Sequence, residues 1–401
     1  MSLLTNIDWE ITSPTGTRVI LVRHGQSTYN AEKRHQGSCD DSVLTPKGRR
    51  TAYQTGLLLR ELKIAVLYVS PLRRAQETAQ EMMAAIATKT NQLPTVTIDS
   101  ALKEISLPLW EGLPYQTVRE QFAEDYHCWK EQPHQFQMMV YGESNQVPTG
   151  SSTLVNLTKH GYPVLELYER TQRFWQKILP QHRGETIVIV SHAGTNRALL
   201  NTALGMSPSR FHSLQQSNCG ISVLHFSSSP EQLARLERLN STDHLGEALP
   251  KLKEGKQGLR LLVVPSDGTN PGRIQTLAQR LESVVIDFSI SNDLDCTQLT
   301  TKQLLQQHPQ TVQFPILRDD FPQAWQQTLA SRHPQAPTVG VNENRPLTAL
   351  VVAQEAIALK LLSQLLDIKP QHLHLHHDTL TVIHYPQTSN NPILQSMNIG
   401  H

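Results

Sequence analysis

The sequence predicts an α/β fold built on a mostly parallel sheet, followed by a shorter copy of the same fold. Three observations carry that prediction. Val19–Val22, Ala65–Val69 and Thr186–Val190 are short, continuous apolar runs that suit strands buried on both faces. Each run leads through a turn into a polar segment that reads as a helix. Arg260–Gly268 and Leu350–Ala356 line up with Arg18–Gln26 and Val188–Gly194, and such self-similarity reports architecture before function.

At 401 residues the chain is long for one domain, and two are expected. Lys and Arg total 36 against 35 Asp and Glu, so no charge bias points to nucleic acid or an anionic membrane. The opening residues lack a basic-then-apolar leader, and no apolar run approaches a membrane span. Cys39, Cys128, Cys219 and Cys296 are scattered without paired spacing and read as ordinary thiols of a reducing compartment. The expectation is a soluble cytoplasmic protein.

Residues 1–17 end in Ser13-Pro-Thr-Gly-Thr17, a loop composition, and are read as a tail. The first strand then delivers Arg23 and His24 at its carboxyl end, where open α/β sheets place their ligands. Gly25 permits a tight turn, and Asn30 follows close enough to reach the same anion. Gln36-Gly37 belongs to a loop. Thr45 as N-cap and Pro46 at the first helical position open a helix through Ala52, Leu57 and Leu58 to Leu62.

The second strand delivers Arg73 and Arg74. Glu104 stands before a loop with Trp110-Glu111-Gly112, where Glu111 is expected to hold the loop rather than react. Residues 115–182 read as a mostly helical insertion, and His127, His134 and His160 lack metal-ligand spacing. The third strand ends in Ser191-His192-Ala193-Gly194. That small-residue turn opens a helix whose N–H groups favour a phosphate. Ile221–Phe226 and Leu233–Asn240 close the unit.

Arg23-His24-Gly25-Gln-Ser-Thr-Tyr-Asn30, Ser70-Pro-Leu-Arg-Arg-Ala-Gln-Glu-Thr-Ala79, Leu102-Lys-Glu104 with Trp110-Glu111-Gly112, and Ser191-His192-Ala193-Gly194 occur in that order. Together they resemble the motifs of the histidine phosphatase superfamily, the phosphoglycerate mutase-like enzymes, and Ser241–Leu245 resembles the usual family ending. The resemblance covers residues 18–246. It implies a three-layer αβα phosphoglycerate mutase-like fold with a mostly parallel central sheet, with the insertion at 115–182 as a lid. It selects Arg74 over Arg73 for the pocket, and the family's Gly-Glu-Ser answers to either Tyr141–Ser144 or Pro148–Ser152. Pro108 departs from the pattern, since many relatives carry glycine there.

The roles implied are His24 as nucleophile and Glu104 as general acid and base. Arg23, Arg74, His192 and Asn30 would bind phosphate, with Gln36, Gly37 and Ala193 as further substrate contacts. Neighbouring strands lie about 5 Å apart, so Arg23, Arg74 and His192 could meet as three cations around one anion. Clustered positive charge would keep His24 unprotonated and nucleophilic. No metal or cofactor is called for, and the expected partner is a small phosphorylated substrate.

Residues 247–258 form a charged linker and 259–401 the second domain. Pro265 and Ser266 stand where Arg23 and His24 do, and Gln354 replaces His192, so this copy is read as non-catalytic. His372, His374, His376 and His377 coincide with a loop of the repeat and are not read as a metal site. Packing against the catalytic half, or a homodimer through this domain, is its expected role. The primary functional expectation is a metal-independent phosphomonoesterase. The Trp-Glu-Gly loop favours it over a phosphoglycerate mutase, and the complete residue set favours it over a non-catalytic scaffold. The two-domain layout resembles members in photosynthetic organisms that act on carboxyarabinitol 1-phosphate. A kinase-linked bisphosphatase is not the expected reading, since the sequence holds no Gly-x4-Gly-Lys-Ser/Thr loop.

Overall fold

Val19, Ile20, Leu21 and Val22 have no exposed surface, which is why the opening apolar run forms a strand. The computed structural model describes residues 16–400, apart from 91, 142–156, 228–232, 254, 318–319, 322–324, 326, 328–344 and 390. In chain order the first half contains β1 (Thr17–Arg23), α1 (Thr28–Ala31), α2 (Pro46–Leu59), β2 (Val66–Val69), α3 (Arg73–Ile86) and β3 (Thr95–Ile98). It continues with α4 (Tyr115–Gln121), α5 (Ala123–Glu131), β4 (Met138–Tyr141), β5 (Leu157–Gly161), α6 (Pro163–Ile178), β6 (Thr186–Ser191) and α7 (Ala193–Leu204). After these come β7 (Ile221–Phe226), β8 (Arg235–Ser241), β9 (Gly258–Pro265), α8 (Pro271–Leu281), β10 (Phe288–Asn292), α9 (Asp295–Leu304) and β11 (Val312–Ile316). The described elements end with β12 (Leu347–Ala353), α10 (Glu355–Leu366), β13 (Leu380–Pro386) and β14 (Ile393–Ile399).

Contacts divide the chain into two compact units, Val19–His212 and a second that joins Ser213–His401 to the residues up to Arg18. In the first unit the strand order is β1-β6-β2-β3. β6 and β2 run parallel, as do β2 and β3. α2 packs on α3, and α6 on α7. Thr45 caps α2 through a 3.1 Å bond from Gly48 N, as its sequence position predicts. The helix stops at Leu59, short of Leu62.

The second unit has the order β11-β10-β12-β9-β13-β14-β8-β7. Its first four strands are parallel, and β9-β12-β10-β11 repeats the order β1-β6-β2-β3. The match extends to single bonds. Ser266 N donates to Ala353 O (3.0 Å) as His24 N donates to Ser191 O (2.8 Å), in the register the sequence alignment gives. α7 and α10 both end on a left-handed residue, Gly205 and Asp367. The fold is therefore α/β, one unit followed by a shorter copy with the same strand order.

Three expectations differ from what is observed. Thr17 is already strand rather than tail, because it is buried in β1. The described part of the insertion is mostly helical, as expected, but it also holds an antiparallel hairpin of β4 and β5. The division between units falls at Ser213 rather than within 247–258, because β8 pairs with β14. The linker is itself tied down, with Arg260 donating to Pro250 O (2.5 Å) and Gln215 to Lys251 O (3.1 Å). Of the two candidate Gly-Glu-Ser segments, residues 142–144 and 148–152 lie outside the described residues, and Tyr141 ends β4.

Candidate active site

The first unit brings the ends of β1, β2 and β6 together. His24 follows β1 and is almost fully buried, with its ring centroid 5.2 Å from that of His192 and the planes tilted by 56°. Its Nδ1 lies 2.7 Å from Gly25 O. A carbonyl can only accept, so Nδ1 carries the proton and the lone pair falls on Nε2. Gly25 N in turn donates to Thr78 Oγ1 (3.0 Å), which fixes the turn after the strand.

His192 Nε2 sits 2.7 Å from Ser70 Oγ, at the tip of β2. Ser70 Oγ also accepts from Leu72 N (3.3 Å) and keeps its hydroxyl proton available for Nε2, the arrangement that puts the His192 N–H on Nδ1. Nδ1 is buried and has no hydrogen-bond partner among the described residues. Burial, with Arg74 as the next largest cause, holds the His192 imidazole well below its ordinary pKa. It is thus a neutral donor and not the third cation expected from the sequence, because a dry site already holding arginines resists another charge.

Arg74 is fully buried at the start of α3. Its fork donates to Cys39 O (2.8 Å) and Gly37 O (2.9 Å), so it shapes the 37–39 loop beside the site. Glu111 grips the same loop, accepting from Ser38 N (2.6 Å) and Ser38 Oγ (3.1 Å). Gly37 has φ of +52°, and a Cβ there would lie 2.2 Å from Glu111 Oε1, which reserves the position for glycine. Trp110 is buried in an apolar cluster with Val118, Trp129 and Phe136, anchoring the loop that contains Pro108.

Glu104 is the most heavily bonded side chain of the site. Its carboxylate accepts from Gly194 N (3.0 Å), Thr195 N (2.9 Å), Thr195 Oγ1 (3.2 Å) and Ile105 N (2.9 Å). The N–H groups opening α7, which the sequence reserves for phosphate, are thus taken by the acid/base candidate. The helix dipole and the short chain distance from Glu104 to the strand tips make it the nearest anion. A Cβ on Gly194 would stand 2.6 Å from Glu104 Oε1, so the glycine of the Ser-His-Ala-Gly turn keeps room for the carboxylate.

The remaining candidates have structural partners. Asn30 and Ser27 close a capping box on α1 (3.2 and 3.3 Å). Gln36 Oε1 accepts from Ser27 Oγ (2.8 Å) and Ser42 Oγ (2.7 Å). Gly37 contributes its carbonyl to Arg74, and Ala193 is the first residue of α7. Arg23 ends β1; burial lowers its pKa, while Tyr115 and Glu104 act against that and Arg197 and Arg74 reinforce it.

Sequence reasoning passed over several residues. Ser70 and Thr78 lie inside the quoted motif, so their signal was present. Arg170 donates to Lys103 O (2.5 Å) and its charge bears on Glu104 and His192, yet nothing in the sequence links α6 to Glu104. Tyr115 and Arg197, near Arg23, carry no spacing signal either. In the second copy, Ser266 Oγ is bonded to Asp378 Oδ1 (2.6 Å) and Thr300 Oγ1 (2.8 Å), a short polar plug where the first copy has an imidazole. His372 Nδ1 faces Ala234 O (3.0 Å), and His377 lies between Glu355 (3.1 Å) and Asp267 (3.6 Å). Among the described residues no three such side chains form a metal-ligating group.

Two neighbouring, mutually tilted imidazoles beside buried arginines at strand tips define the class, an α/β protein with a histidine-centred, anion-attracting site. Residues 19–147 and 150–239 match the sequence profile of the histidine phosphatase superfamily (branch 1), and the chain belongs to that family. It is 34% identical over 255 residues to a 2-carboxy-D-arabinitol-1-phosphatase of Triticum aestivum, covering 63% of this chain and 46% of that protein. It is 31% identical over 233 residues to phosphoserine phosphatase 1 of Hydrogenobacter thermophilus, covering 57% of this chain and 95% of that one. The chain spans about half the length of the Triticum aestivum relative and of an Arabidopsis thaliana relative (46% and 52%). A crystal structure of phosphoserine phosphatase with 3-phosphoglyceric acid from Entamoeba histolytica is 26% identical, with a TM-score of 0.43 over 57% of this chain and 99% of that one.

Proposed function

We propose that this protein is a metal-independent phosphomonoesterase that hydrolyses a small phosphorylated metabolite through a phosphohistidine on His24. The observation that carries the reading is the fixed tautomer of His24, whose lone pair on Nε2 stands beside the neutral His192 and the Arg23 and Arg74 cations. Nε2 attacks phosphorus in line as the ester oxygen departs. Arg23, with Arg74 close behind the loop, meets charge on the equatorial phosphoryl oxygens, and the His192 Nδ1–H adds a donor. Those charges supply the electrostatic stabilisation without a metal.

In the substrate complex Glu104 must hold a proton: in that acid form it gives the proton to the departing alkoxide, and the resulting carboxylate takes one back from the water that attacks the phosphohistidine. Phosphate leaves, and His24 returns to its starting form. Names among the relatives favour a phosphorylated acid as substrate, and a sugar phosphate such as carboxyarabinitol 1-phosphate fits the two-part chain. The test is alkaline-quench labelling with phosphate esters, since a phosphohistidine survives base and not acid, together with release of free phosphate from sugar phosphates, phosphoserine and 3-phosphoglycerate. His24→Ala should abolish both label and turnover. Label in that variant, or isomerised product in place of free phosphate from the wild type, would overturn the reading.

A further inference from the structure

The join between β8 and β14 inside the second unit obeys a two-fold pattern. β7–β8 and β13–β14 have the same register throughout. Ile221 faces Ser241 as Leu380 faces Ile399, Val223 faces Arg238 as Val382 faces Ser396, and Leu224 faces Leu236 as Ile383 faces Leu394. Both ladders shift register at the same two steps. Asn240 and Asn398 hold matching left-handed conformations (φ 48° and 57°), as do Cys219 and Asp378 (55° and 57°). Left-handed backbone is uncommon outside glycine, so its recurrence at equivalent positions marks a conserved geometry of the two copies.

The contacts across the join are reciprocal. Leu239 pairs with Met397, and these two residues are each other's counterparts, so the local axis passes through them. Asn240 Nδ2 donates to Gln395 O (2.7 Å) and Asn398 Nδ2 donates to Glu237 O (2.6 Å). The two Oδ1 atoms accept from equivalent amides, Ser217 N (2.6 Å) and His376 N (3.1 Å). Gln215 N donates to Leu394 O (2.9 Å) as His374 N donates to Leu236 O (3.0 Å). Residue i touching j while the copy of j touches the copy of i is the mark of an isologous interface, the kind that joins identical subunits. Pairing edge strands in this way also consumes backbone groups that would otherwise recruit another chain.

We propose that the C-terminal copy is a built-in replacement for the partner subunit of a two-fold homodimer, and that the chain works as a monomer with a single catalytic site. The join occupies the β8 and β14 edges at once, leaving neither for a second chain. This gives the degenerate copy a purpose that needs no chemistry of its own: it holds β7–β8 in the arrangement a partner would otherwise impose.

The test uses the full chain. Sedimentation velocity from nanomolar to high-micromolar concentration should show one chain throughout, and turnover per chain should not change on dilution. A two-chain species overturns the proposal. Asn398→Asp keeps the acceptor for His376 N and loses the donor to Glu237 O, so hydrogen exchange across residues 235–241 should speed up at least several-fold. Unchanged exchange there overturns it too. If that variant does not fold, exchange in the wild type decides: β8 and β14 amides should open together, and protection of β8 surviving the opening of β14 counts against the proposal.

Discussion

Replacing Gly194 by alanine separates the placement of Glu104 from its presence. The added methyl would stand 2.6 Å from Glu104 Oε1 and 3.2 Å from Ile105 Cγ2. An ordinary non-bonded contact lies near 3.5 Å, so the carboxylate must withdraw by about 1 Å. The bonds from Gly194 N (3.0 Å) and Thr195 N (2.9 Å) that now hold it would lengthen beyond use. A misplacement of about 1 Å costs on the order of 10²-fold in rate. That corresponds to roughly 2.7 kcal/mol of transition-state stabilisation. Stability should fall as well, because the clash and the two lost bonds to the carboxylate outweigh the roughly 1 kcal/mol by which alanine exceeds glycine in a helix. The assay compares an alkyl phosphate in the steady state with the burst of nitrophenolate from p-nitrophenyl phosphate. Nitrophenolate leaves without a proton, so its burst, which reports transfer to His24, should survive while alkyl phosphate turnover falls about 10²-fold. Equal loss in both, or full turnover of the alkyl ester, would refute the acid/base placement of Glu104.

Acid should destabilise the fold over a defined window. His35 and His244 are lowered by burial from 6.5 to about 4, and buried His192 and His212 lie well below 6.5. The unfolded chain takes up these protons first, so stability is full above about 6.5 and is lost as pH falls towards 4, read as a falling Tm. Arg74→Lys removes the fork that serves Gly37 O and Cys39 O. It should destabilise by about 1–3 kcal/mol for a carbonyl left unsatisfied, measured by urea unfolding, and raise KM for any phosphate ester. Chelator added to purified protein should leave turnover intact; loss restored by magnesium would refute the metal-independent mechanism.

The sequence by itself determined the strands β1, β2, β6, β9 and β12, because a strand buried on both faces is apolar along its length and the run is visible as such, while the largely exposed β3 and β11 left no such run. It determined the α2 cap, since Thr45 and Pro46 act within one turn of themselves, and it determined the repeat, since aligned residues keep their registers to single bonds. It located His24, Arg74, Glu104 and His192 through local motifs. The tertiary structure alone decided what those side chains do to one another. Glu104 sits on the α7 amides, Arg74 faces loop carbonyls, His192 is neutral and Asn30 caps its own helix. Each of these depends on burial or on partners distant in the chain, and neither quantity has a period or spacing to read. The β8–β14 join is the extreme case: its paired asparagines look like two ordinary residues until the strands meet.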